Sequence, residues 1–369
     1  MKNEELKYQI ALTLIPNIGD VLGKNLLAYC GSASQVFKEK PKLLVKIPGI
    51  GQACAKAIFK SKDALLRAEE ELAFIEKYKI KTLFYSNEDY PSRLKYCNDS
   101  PLLLYYKGNA NLNSDKIISV VGTRTPSDAG KEITKKFMED LQGSGILVVS
   151  GLAYGIDVHA HKYALDNSLQ TVGVVAHGLD MVYPGAHAAI AKKMIKQGGM
   201  LTDFTSNTNP DAVNFPKRNR IVAGICDALV VVESKREGGS LITATIASSY
   251  NKDVFAFPGR PTDKLSEGCN GLIKTNKAAM IENAGDLLNA MNWLKKEEKK
   301  KKKQIPLMLS LTEPEQKVAA SFTNKKQLHI DEICYASKMS VSAVSALLLQ
   351  LEFNNLVKSK PGKMYEFLG

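Results

Sequence analysis

The chain has no long apolar segment and no leader-like N-terminus. Among its 369 residues, no apolar run approaches the ~20 residues that a bilayer-spanning helix needs. The first ten residues, MKNEELKYQI, are polar and mixed in charge, unlike the apolar centre of a signal peptide. We therefore expect a soluble, cytoplasmic protein that has no membrane partner.

Residues that build metal or redox sites are few. The six cysteines are scattered without a CxxC pair, and the chain has only five histidines. Asp157, His159 and His161 are close enough in sequence to suggest a metal site, but no matching set of ligands occurs elsewhere. The sequence therefore predicts reduced thiols that pack as small apolar side chains, with no metal and no other cofactor.

The usual nucleotide-binding signatures are also absent. The apolar run Ile117–Val121 leads into Gly122-Thr123-Arg124, which fits neither GxGxxG nor the GK[ST] of a P-loop. This turn has one glycine followed by an arginine, whereas a dinucleotide site needs several glycines here. Because helix N-terminal amides and a guanidinium can converge on an anion at such a turn, we expect Gly122, Thr123 and Arg124 to bind phosphate.

The excess of positive charge is concentrated in one short segment. The formal net charge is +12, and residues 295–304 hold seven lysines and two glutamates. The remaining chain is only mildly basic, so a nucleic-acid site elsewhere requires local clustering of cations. We interpret residues 295–306 as a lysine-rich linker that separates two domains.

Before that linker, short apolar runs alternate with stretches of helical spacing. The runs are Ile117–Val121, Ile146–Val149, Thr171–Ala176, Met200–Phe204, Ala228–Glu233 and Val254–Phe257. Most are rich in β-branched residues and nearly continuous, which is typical of parallel strands buried on both faces. Repeated βα units predict an α/β domain with an extended Rossmann-like parallel sheet over residues 86–294. Ligands of such sheets bind beyond the carboxyl ends of the strands.

The segments on either side predict two smaller domains. Residues 1–85 lack strand signals and predict a helical domain, in which Ile15–Gly19 and Ile47–Gly51 look like a pair of helix-hairpin-helix (SAM-like) motifs. These motifs suit either phosphate binding or simple packing. Residues 307–369 predict three helices and a hairpin, which suggests a winged helix. The helix that would read DNA in a winged helix, Ser340–Leu351, has no lysine or arginine. Binding to another protein is therefore as plausible a role for this domain as binding to DNA.

Small, aromatic and basic residues follow several of the predicted strands. Beyond the first turn, they are Ser150, Gly151, Phe215, Lys217, Arg218, Asn219, Gly239, Ser240 and Asn270. Cations beside an aromatic side chain are typical of single-stranded nucleic-acid sites. Because carboxyl ends of parallel strands meet at one edge of a sheet, we expect these residues to form one rim.

Five motifs on this rim resemble those of one bacterial family in order and spacing. They are GTR (122–124), SGLAYGID (150–157), FPKRNRI (215–221), EGGSLITA (237–244) and FPG…EGCNGLI (257–273). The family is the DNA-processing protein A family, also called Smf, and the similarity covers roughly residues 85–290. The resemblance implies a homodimer that binds and protects incoming single-stranded DNA and loads the RecA recombinase onto it during natural transformation. It also implies that the protein has no catalytic activity.

The same resemblance assigns roles to individual residues. It implies that Arg124, Lys217 and Arg218 hold phosphates. Asn219 and the pair Gly239-Ser240 would shape the pocket, and Phe215 would sit against a base.

Two other functions remain open from the residues alone. One is a Rossmann-like nucleotide phosphoribohydrolase, which carries a PGGxGTxxE-like turn where this chain has EGGSLITA. Its chemistry needs a glutamate in that helix, yet Thr243 and Thr245 follow here and no glutamate occurs before Tyr250. The other is a RecA-binding adaptor whose contact with DNA is secondary.

A metal nuclease would need clustered carboxylates. The available carboxylates lie near different strand ends and are expected to cap helices or stabilise turns. They are Asp157, Asp203, Asp227 and Glu233.

Overall fold

Two units with separate apolar cores make up the chain. The computed structural model describes residues 2–294, 311–323, 325–354, 356–360 and 362–368. The units are Met1–Leu294 and Lys295–Gly369. The predicted linker, residues 295–306, lies outside the described residues.

The first unit alternates helices with the strands of one large sheet. Its helices are α1 (Lys2–Leu14), α2 (Asp20–Cys30), α3 (Ala33–Lys38), α4 (Pro41–Leu44), α5 (Gln52–Phe59), α6 (Lys62–Tyr78), α7 (Ser92–Lys95), α8 (Asp128–Asp140), α9 (Ile156–Asp166), α10 (Ala188–Lys196), α11 (Asn214–Gly224), α12 (Gly239–Ser249), α13 (Glu267–Lys274) and α14 (Ala284–Ala290). Its strands are β1 (Lys81–Phe84), β2 (Leu103–Gly108), β3 (Ile117–Val121), β4 (Leu147–Ser150), β5 (Thr171–Val174), β6 (Gly198–Thr202), β7 (Ala228–Val231), β8 (Asp253–Ala256) and β9 (Ala279–Met280). A short 3-10 turn, Gly185–His187, precedes α10.

The nine-stranded sheet has the order β1-β2-β6-β5-β4-β3-β7-β8-β9. In this order, every pair of neighbouring strands between β6 and β9 is parallel. Strand β2 pairs with β6 in the antiparallel direction. Each of the six predicted apolar runs overlaps one of the strands β3 to β8, which confirms the extended Rossmann-like α/β fold. The parallel strands are almost wholly buried, as expected for a sheet that is covered on both faces.

Alternate side chains of each strand enter two different cores. On one face, Ile118 and Val120 of β3 pack with α8 and α9, for example against Phe137 and Ala160. On the other face, Ile117 and Val121 belong to a cluster that also contains apolar residues of α11 and α12. This two-sided packing follows from the period of two along a strand. It places the amino ends of α8, α9 and α12 near the carboxyl edge of the sheet.

The chain reverses its direction across the sheet between β3 and β7. From β3 it proceeds outward through β4, β5 and β6, and it then returns to place β7 on the other side of β3. The connections after β3 and β7 therefore diverge and leave a crevice at the carboxyl ends of these two strands. Such a switch point is where open α/β sheets bind ligands.

The N-terminal helices contain two hairpins of nearly identical backbone geometry. The Ile18 amide donates to the Ile15 carbonyl at 3.2 Å, and the Ile50 amide donates to the Ile47 carbonyl at 3.0 Å. The middle residue of each hairpin is left-handed, with φ 64° at Asn17 and 83° at Gly49. This repeat matches the paired helix-hairpin-helix pattern of the sequence.

The prediction that residues 1–85 contain no strand is wrong. Lys81–Phe84 forms β1, which pairs antiparallel with β2, and β2 was also missed. Both strands extend the large sheet, and Leu102, Leu103 and Tyr105 join the core of the N-terminal helices. A strand signal was present, since residues 102–106 form a continuous apolar run with two tyrosines, but the pairing of both strands at the sheet edge depends on their partners.

The second unit is a winged helix, as predicted. Its helices are α15 (Glu313–Ala320), α16 (Ile330–Ser337) and α17 (Val341–Phe353), and its strands are β10 (Gln327–His329), β11 (Val357–Lys360) and β12 (Met364–Phe367). The strands pair in the order β10-β12-β11. The core is formed by apolar residues such as Val318, Ile333 and Leu348.

Candidate nucleic-acid interface

A cleft of about 340 Å³ opens at the switch point. It lies over the carboxyl ends of β3 and β7, between the amino-terminal turns of α11 and α12. The residues that line it are Val121, Gly122, Thr123, Arg124, Thr125, Gly151, Ala153, Asp157, Phe215, Arg218, Asn219, Val222, Lys235, Glu237, Gly238, Gly239, Ser240 and Thr243. We call it the switch-point cleft.

The turn after β3 is held close to its neighbours by backbone contacts. A Cβ at Gly122 would lie 2.5 Å from Ile156 Cγ1, so only glycine fits there. The Thr123 amide donates to the Glu233 carbonyl at 2.8 Å, and the Thr123 carbonyl accepts from the Ile156 amide at 3.1 Å. The turn thus presents Arg124 at the surface, with its guanidinium carbon 5.3 Å from the centroid of the Phe215 ring.

The Glu233 carboxylate organises the same turn from behind. It accepts from the Ser127 amide at 2.9 Å and from the Ser127 hydroxyl. Ser127 is the N-cap of α8 and accepts from the Gly130 amide at 3.0 Å. Glu233 therefore stabilises a turn and a helix start, in agreement with the role expected for it from the sequence.

Arg218 is a buried cation at the base of the cleft. Its Nη1 donates to the carbonyls of Gly151 and Val174, and so it joins the ends of β4 and β5. Burial lowers the pKa of Arg218 to about 10, and nearby Arg124 acts in the same direction, while Asp157 opposes the shift. Arg218 remains charged at neutral pH. It combines a structural role with a positive field in the cleft.

Asp157 is the buried carboxylate beside Arg218. Burial raises the pKa of Asp157, and this effect is opposed by the charge of Arg218 and by hydrogen bonds from the backbone of Ala153 and Gly151. The sequence suggested that Asp157 caps α9, which is wrong, because the N-cap is Gly155 and Asp157 lies inside the first turn. Its carboxylate is therefore engaged with the loop after β4.

The first turn of α12 closes the opposite side of the cleft. The Ser240 hydroxyl donates to the Ser234 hydroxyl at 2.8 Å, and a Cβ at Gly238 would lie 2.2 Å from that Ser234 oxygen. A Cβ at Gly239 would meet no atom within 4 Å, so this residue borders open space. The helix thus begins at the cleft wall with small residues, which suits the close approach of an anion.

The structure brings together most of the residues predicted for the rim, but not all of them. Gly122, Thr123, Arg124, Gly151, Phe215, Arg218, Asn219, Gly239 and Ser240 all line the switch-point cleft. Ser150, Lys217 and Asn270 do not line it. Ser150 is buried and its hydroxyl donates to the Val120 carbonyl at 2.6 Å. Asn270 lies in α13, where its side chain pairs with the Gly259 amide and carbonyl at 3.1 and 2.9 Å.

Lys217 lies on the other side of α11, which corrects its assignment to the same basic cluster. Successive residues of a helix are turned by about 100°, so Phe215, Arg218 and Asn219 share one face and Lys217 faces elsewhere. Lys217 lines a second cleft together with Arg220 and the acidic residues Asp20, Asp99 and Asp203.

Arg220 is not a free cation in that second cleft. It bonds to Asp20 at 2.8 Å and to Asp203 at 2.8 Å, and it also donates to the Asp99 carbonyl. Burial lowers the pKa of Arg220, but Asp203 and Asp20 outweigh burial and raise it overall. Arg220 therefore fastens α2 to the large sheet.

Three functional candidates were missed by sequence reasoning. Lys235 lines the switch-point cleft and is exposed, and its place in the loop between β7 and α12 could have revealed it. Tyr154 and Tyr183 line a smaller cavity next to the cleft. Tyr154 lies inside the quoted SGLAYGID motif, but no local signal marks Tyr183, which comes from a loop after β5.

Within the described ranges, no group of three or more His, Cys, Asp or Glu side chains is placed to hold a metal ion. The His161 ring bonds to the Thr171 hydroxyl at 2.7 Å, and the His159 ring bonds to the Gly155 carbonyl at 2.7 Å. No single helix in the described part of the chain has the length and apolar character to cross a membrane; α16 and α17 meet that criterion only as a pair bent by 106°.

Two family profiles match the chain. The profile of DNA recombination-mediator protein A matches residues 81–292, and that of the DprA winged helix domain matches residues 306–363. The chain belongs to the DNA recombination-mediator protein A family. This confirms the resemblance to the DNA-processing protein A (Smf) family that the rim motifs indicated.

Curated relatives support the same conclusion. Protein Smf of Synechocystis sp. is 30% identical over 401 aligned positions, which cover 99% of this chain and 100% of the relative. DNA processing protein DprA of Streptococcus pneumoniae is 39% identical over 199 positions, which cover 54% of this chain and 70% of the relative.

Two solved structures of this family are similar to the chain. The X-ray structure of DprA from Streptococcus pneumoniae has a TM-score of 0.67 at 30% identity and covers 78% of this chain and 97% of that protein. DNA processing protein A from Helicobacter pylori, a structure described for its single-stranded DNA binding mode, has a TM-score of 0.53 at 27% identity. It covers 58% of this chain and 96% of that protein.

Proposed function

We propose that the chain binds single-stranded DNA, with the phosphate backbone in the switch-point cleft. The single observation that carries the proposal is the convergence of Arg124, Arg218 and Lys235 with the start of α12 at one end of a parallel sheet. Three cations there face two carboxyls, Asp157 and Glu237, so positive charge is in excess. The Helicobacter pylori relative, described for single-stranded DNA binding, supports this ligand.

The aromatic side chain in the cleft favours an unpaired strand over a duplex. The half-buried Phe215 ring lies beside the Arg124 guanidinium, so a base and its phosphate can be contacted together. Bases of a duplex are stacked on one another and cannot reach such a ring without being extruded. We therefore expect tighter binding to oligo-dT than to a duplex of the same length.

The test compares two charge reversals on opposite sides of α11. Arg124→Glu should lower the affinity for oligo-dT by roughly ten-fold or more, because it replaces a charge-assisted phosphate contact with repulsion. Lys217→Glu is the matched control, since it makes the same change in net charge at an exposed position of the second cleft. We expect it to change the affinity by less than about three-fold, through long-range electrostatics only.

Fluorescence anisotropy at several salt concentrations measures the affinity for oligo-dT and its dependence on salt. The affinity of the wild type should fall as salt rises, and Arg124→Glu should reduce the slope of log affinity against log salt by about one. Equal losses from the two reversals, or a salt-independent affinity, would contradict the assignment of the cleft.

We infer further that the protein is not an enzyme. The Asp157 carboxylate is engaged with loop donors, and Thr243 lines the cleft on the helix where a phosphoribohydrolase needs a glutamate. Release of free base from nucleoside monophosphates, followed by chromatography, would overturn this inference.

We propose that the protein protects incoming DNA and loads the RecA recombinase during natural transformation, as a cytoplasmic homodimer. The family description as a recombination mediator supports this role. The expected result is that the wild type, and not Arg124→Glu, accelerates assembly of RecA on oligo-dT.

A further inference from the structure

A second, smaller cavity adjoins the switch-point cleft along the sheet edge. It has a volume of about 30 Å³ and shares Arg124, Phe215 and Arg218 with the cleft. Its other walls come from the loops after β4 and β5 and include Leu152, Tyr154, Val175, Tyr183 and Pro184. The cavity therefore continues the cleft from β3 towards β5.

Aromatic rings dominate the outer edge of this cavity. Tyr154 is 52% exposed and Tyr183 is 45% exposed, although both are large side chains with apolar rings. The centroid of the Tyr183 ring lies 6.2 Å from that of Phe215, at an interplanar angle of 49°. Phe215 in turn lies next to the Arg124 guanidinium. Exposed aromatic rings beside a cation are the pattern that single-stranded nucleic-acid sites use for stacking.

Two buried histidines contact the residues that carry these exposed rings. His177 accepts the Tyr183 amide through Nε2 at 3.2 Å, and its Nδ1 lies 2.8 Å from the Gly178 carbonyl. The His187 ring packs edge-on against Tyr154 with 5.0 Å between centroids. These contacts fix the loops that carry both tyrosines, so little conformational freedom is lost when a ligand stacks on them.

The second cleft, on the opposite side of α11, is less suited to a polyanion. Across α11, the second cleft carries the carboxyl groups of Asp20, Asp99 and Asp203. Its Arg220 is already paired with two of them. Phosphates of a strand that entered the second cleft would be repelled by these acidic groups. The smaller cavity beside Tyr183 instead offers Arg124, Arg218 and aromatic rings.

We propose that Tyr154 and Tyr183 form a base-stacking platform, on which the strand leaving the switch-point cleft continues along the sheet edge towards β5. The inference rests on the proposed function, since it names the next subsite for the same ligand. Phe215 takes one base and the tyrosines take the adjacent ones, while Arg124 holds the phosphate between them. The ligand of the platform is a nucleobase of an unpaired strand, bound without readout of its sequence.

The test separates bases from phosphates by using two ligands. One is oligo-dT, and the other is an oligonucleotide of equal length whose residues are abasic, so that only the backbone remains. Tyr183→Ala should lower the affinity for oligo-dT by roughly ten-fold, because one stacking contact is lost, and should leave the affinity for the abasic strand within about two-fold. Tyr154→Ala should act in the same way.

Conservative and distant variants serve as controls. Tyr183→Phe keeps the ring and should retain the wild-type affinity for both ligands. Tyr96→Ala removes a tyrosine that is 88% exposed elsewhere in the first unit and should change neither affinity. Circular dichroism melting of each variant checks that the fold is kept.

The outcomes distinguish this inference from the proposed function. If Arg124→Glu weakens binding of both ligands while Tyr154→Ala and Tyr183→Ala weaken neither, the platform is refuted and the cleft stands. Equal losses for oligo-dT and abasic DNA in the tyrosine variants also refute stacking. If the wild type binds neither ligand, the proposed function itself fails.

Discussion

At the scale of single residues, Arg218 shows how one side chain can serve both fold and site. Its guanidinium donates to the carbonyls that end β4 and β5, and its charge lies at the base of the switch-point cleft. Arg124, in contrast, is exposed and its guanidinium lies beside the Phe215 ring. The two arginines should therefore differ when their charge is removed.

Arg218→Met should destabilise the first unit by about 2–4 kcal/mol, because two buried carbonyls lose a donor and Asp157 loses its counter-charge. Arg124→Met, the matched control, should stay within about 0.5 kcal/mol of the wild type. Urea denaturation followed by circular dichroism measures both. Similar stabilities for the two variants would show that Arg218 does not brace the strand ends.

His161 should make stability depend on pH. Burial lowers the pKa of His161 to about 3, and His187 and Arg218 act in the same direction. An unfolded histidine has a pKa of about 6.5, so below this pH the unfolded state binds a proton that the native state does not. The native state should thus lose stability as pH falls from about 6.5 towards 4, by up to about 1.4 kcal/mol per pH unit.

The comparison of the wild type with His161→Gln isolates the contribution of His161 to the pH dependence of stability. The buried acids Asp157 and Asp203, whose pKa values burial raises, titrate in both proteins and cancel in the difference. We expect the wild type to lose stability more steeply than the variant in urea melts at pH 7, 6 and 5. Parallel pH profiles would contradict a neutral His161.

At the scale of elements, the start of α9 is built against the turn after β3. Gly155, the N-cap of α9, has φ 85°, and a Cβ there would lie 2.1 Å from the Thr123 carbonyl oxygen. Gly143 has a similar φ of 73° but borders open space. Both glycines thus have a positive φ, but Gly155 also has a ψ of −132° and meets a backbone atom.

Gly155→Ala should cost more stability than Gly143→Ala. A positive φ costs alanine about 1 kcal/mol at Gly143. The backbone of Gly155, with φ 85° and ψ −132°, lies outside the left-handed helical region, where the strain is about 1–3 kcal/mol. At Gly155 the added methyl must also displace the Thr123 backbone, so we expect a loss above about 2 kcal/mol and weaker binding of oligo-dT. Gly143→Ala should keep the DNA affinity of the wild type. If both variants bind equally well, the turn after β3 does not position Arg124.

At the scale of the whole molecule, the two units have separate cores and the first unit is fastened internally by ion pairs. Arg220 connects Asp20, at the start of α2, with Asp203, after β6. The Asp20 carboxylate also accepts from the Leu102 amide at 2.8 Å. This network ties the N-terminal helices to the edge of the large sheet.

Arg220→Met should lower the stability of the first unit by about 3–5 kcal/mol, because it leaves two largely buried carboxylates without their positively charged partner. The second unit contains none of these residues and should unfold as before. Calorimetry should therefore show one shifted and one unshifted transition. Equal shifts of both transitions would mean that the units unfold together.

The rim could be predicted from the sequence because it depends only on where each parallel strand ends. Parallel strands end at the same edge, so the residues just after β3, β4 and β7 had to approach one another, and Gly122, Arg124, Gly151 and Ser240 do line one cleft. The winged helix was equally readable, because its helices and hairpin carry their own periodic patterns.

The tertiary structure decided which neighbours in sequence remain neighbours in space. The helical turn of α11 sends Lys217 to a different cleft from Arg218, and Tyr183 reaches Phe215 from a loop more than thirty residues earlier. Strands β1 and β2 extend the large sheet by pairing with each other and with β6. Local patterns specify elements and their ends, while the direction of a side chain and the pairing of an edge strand depend on contacts between distant segments.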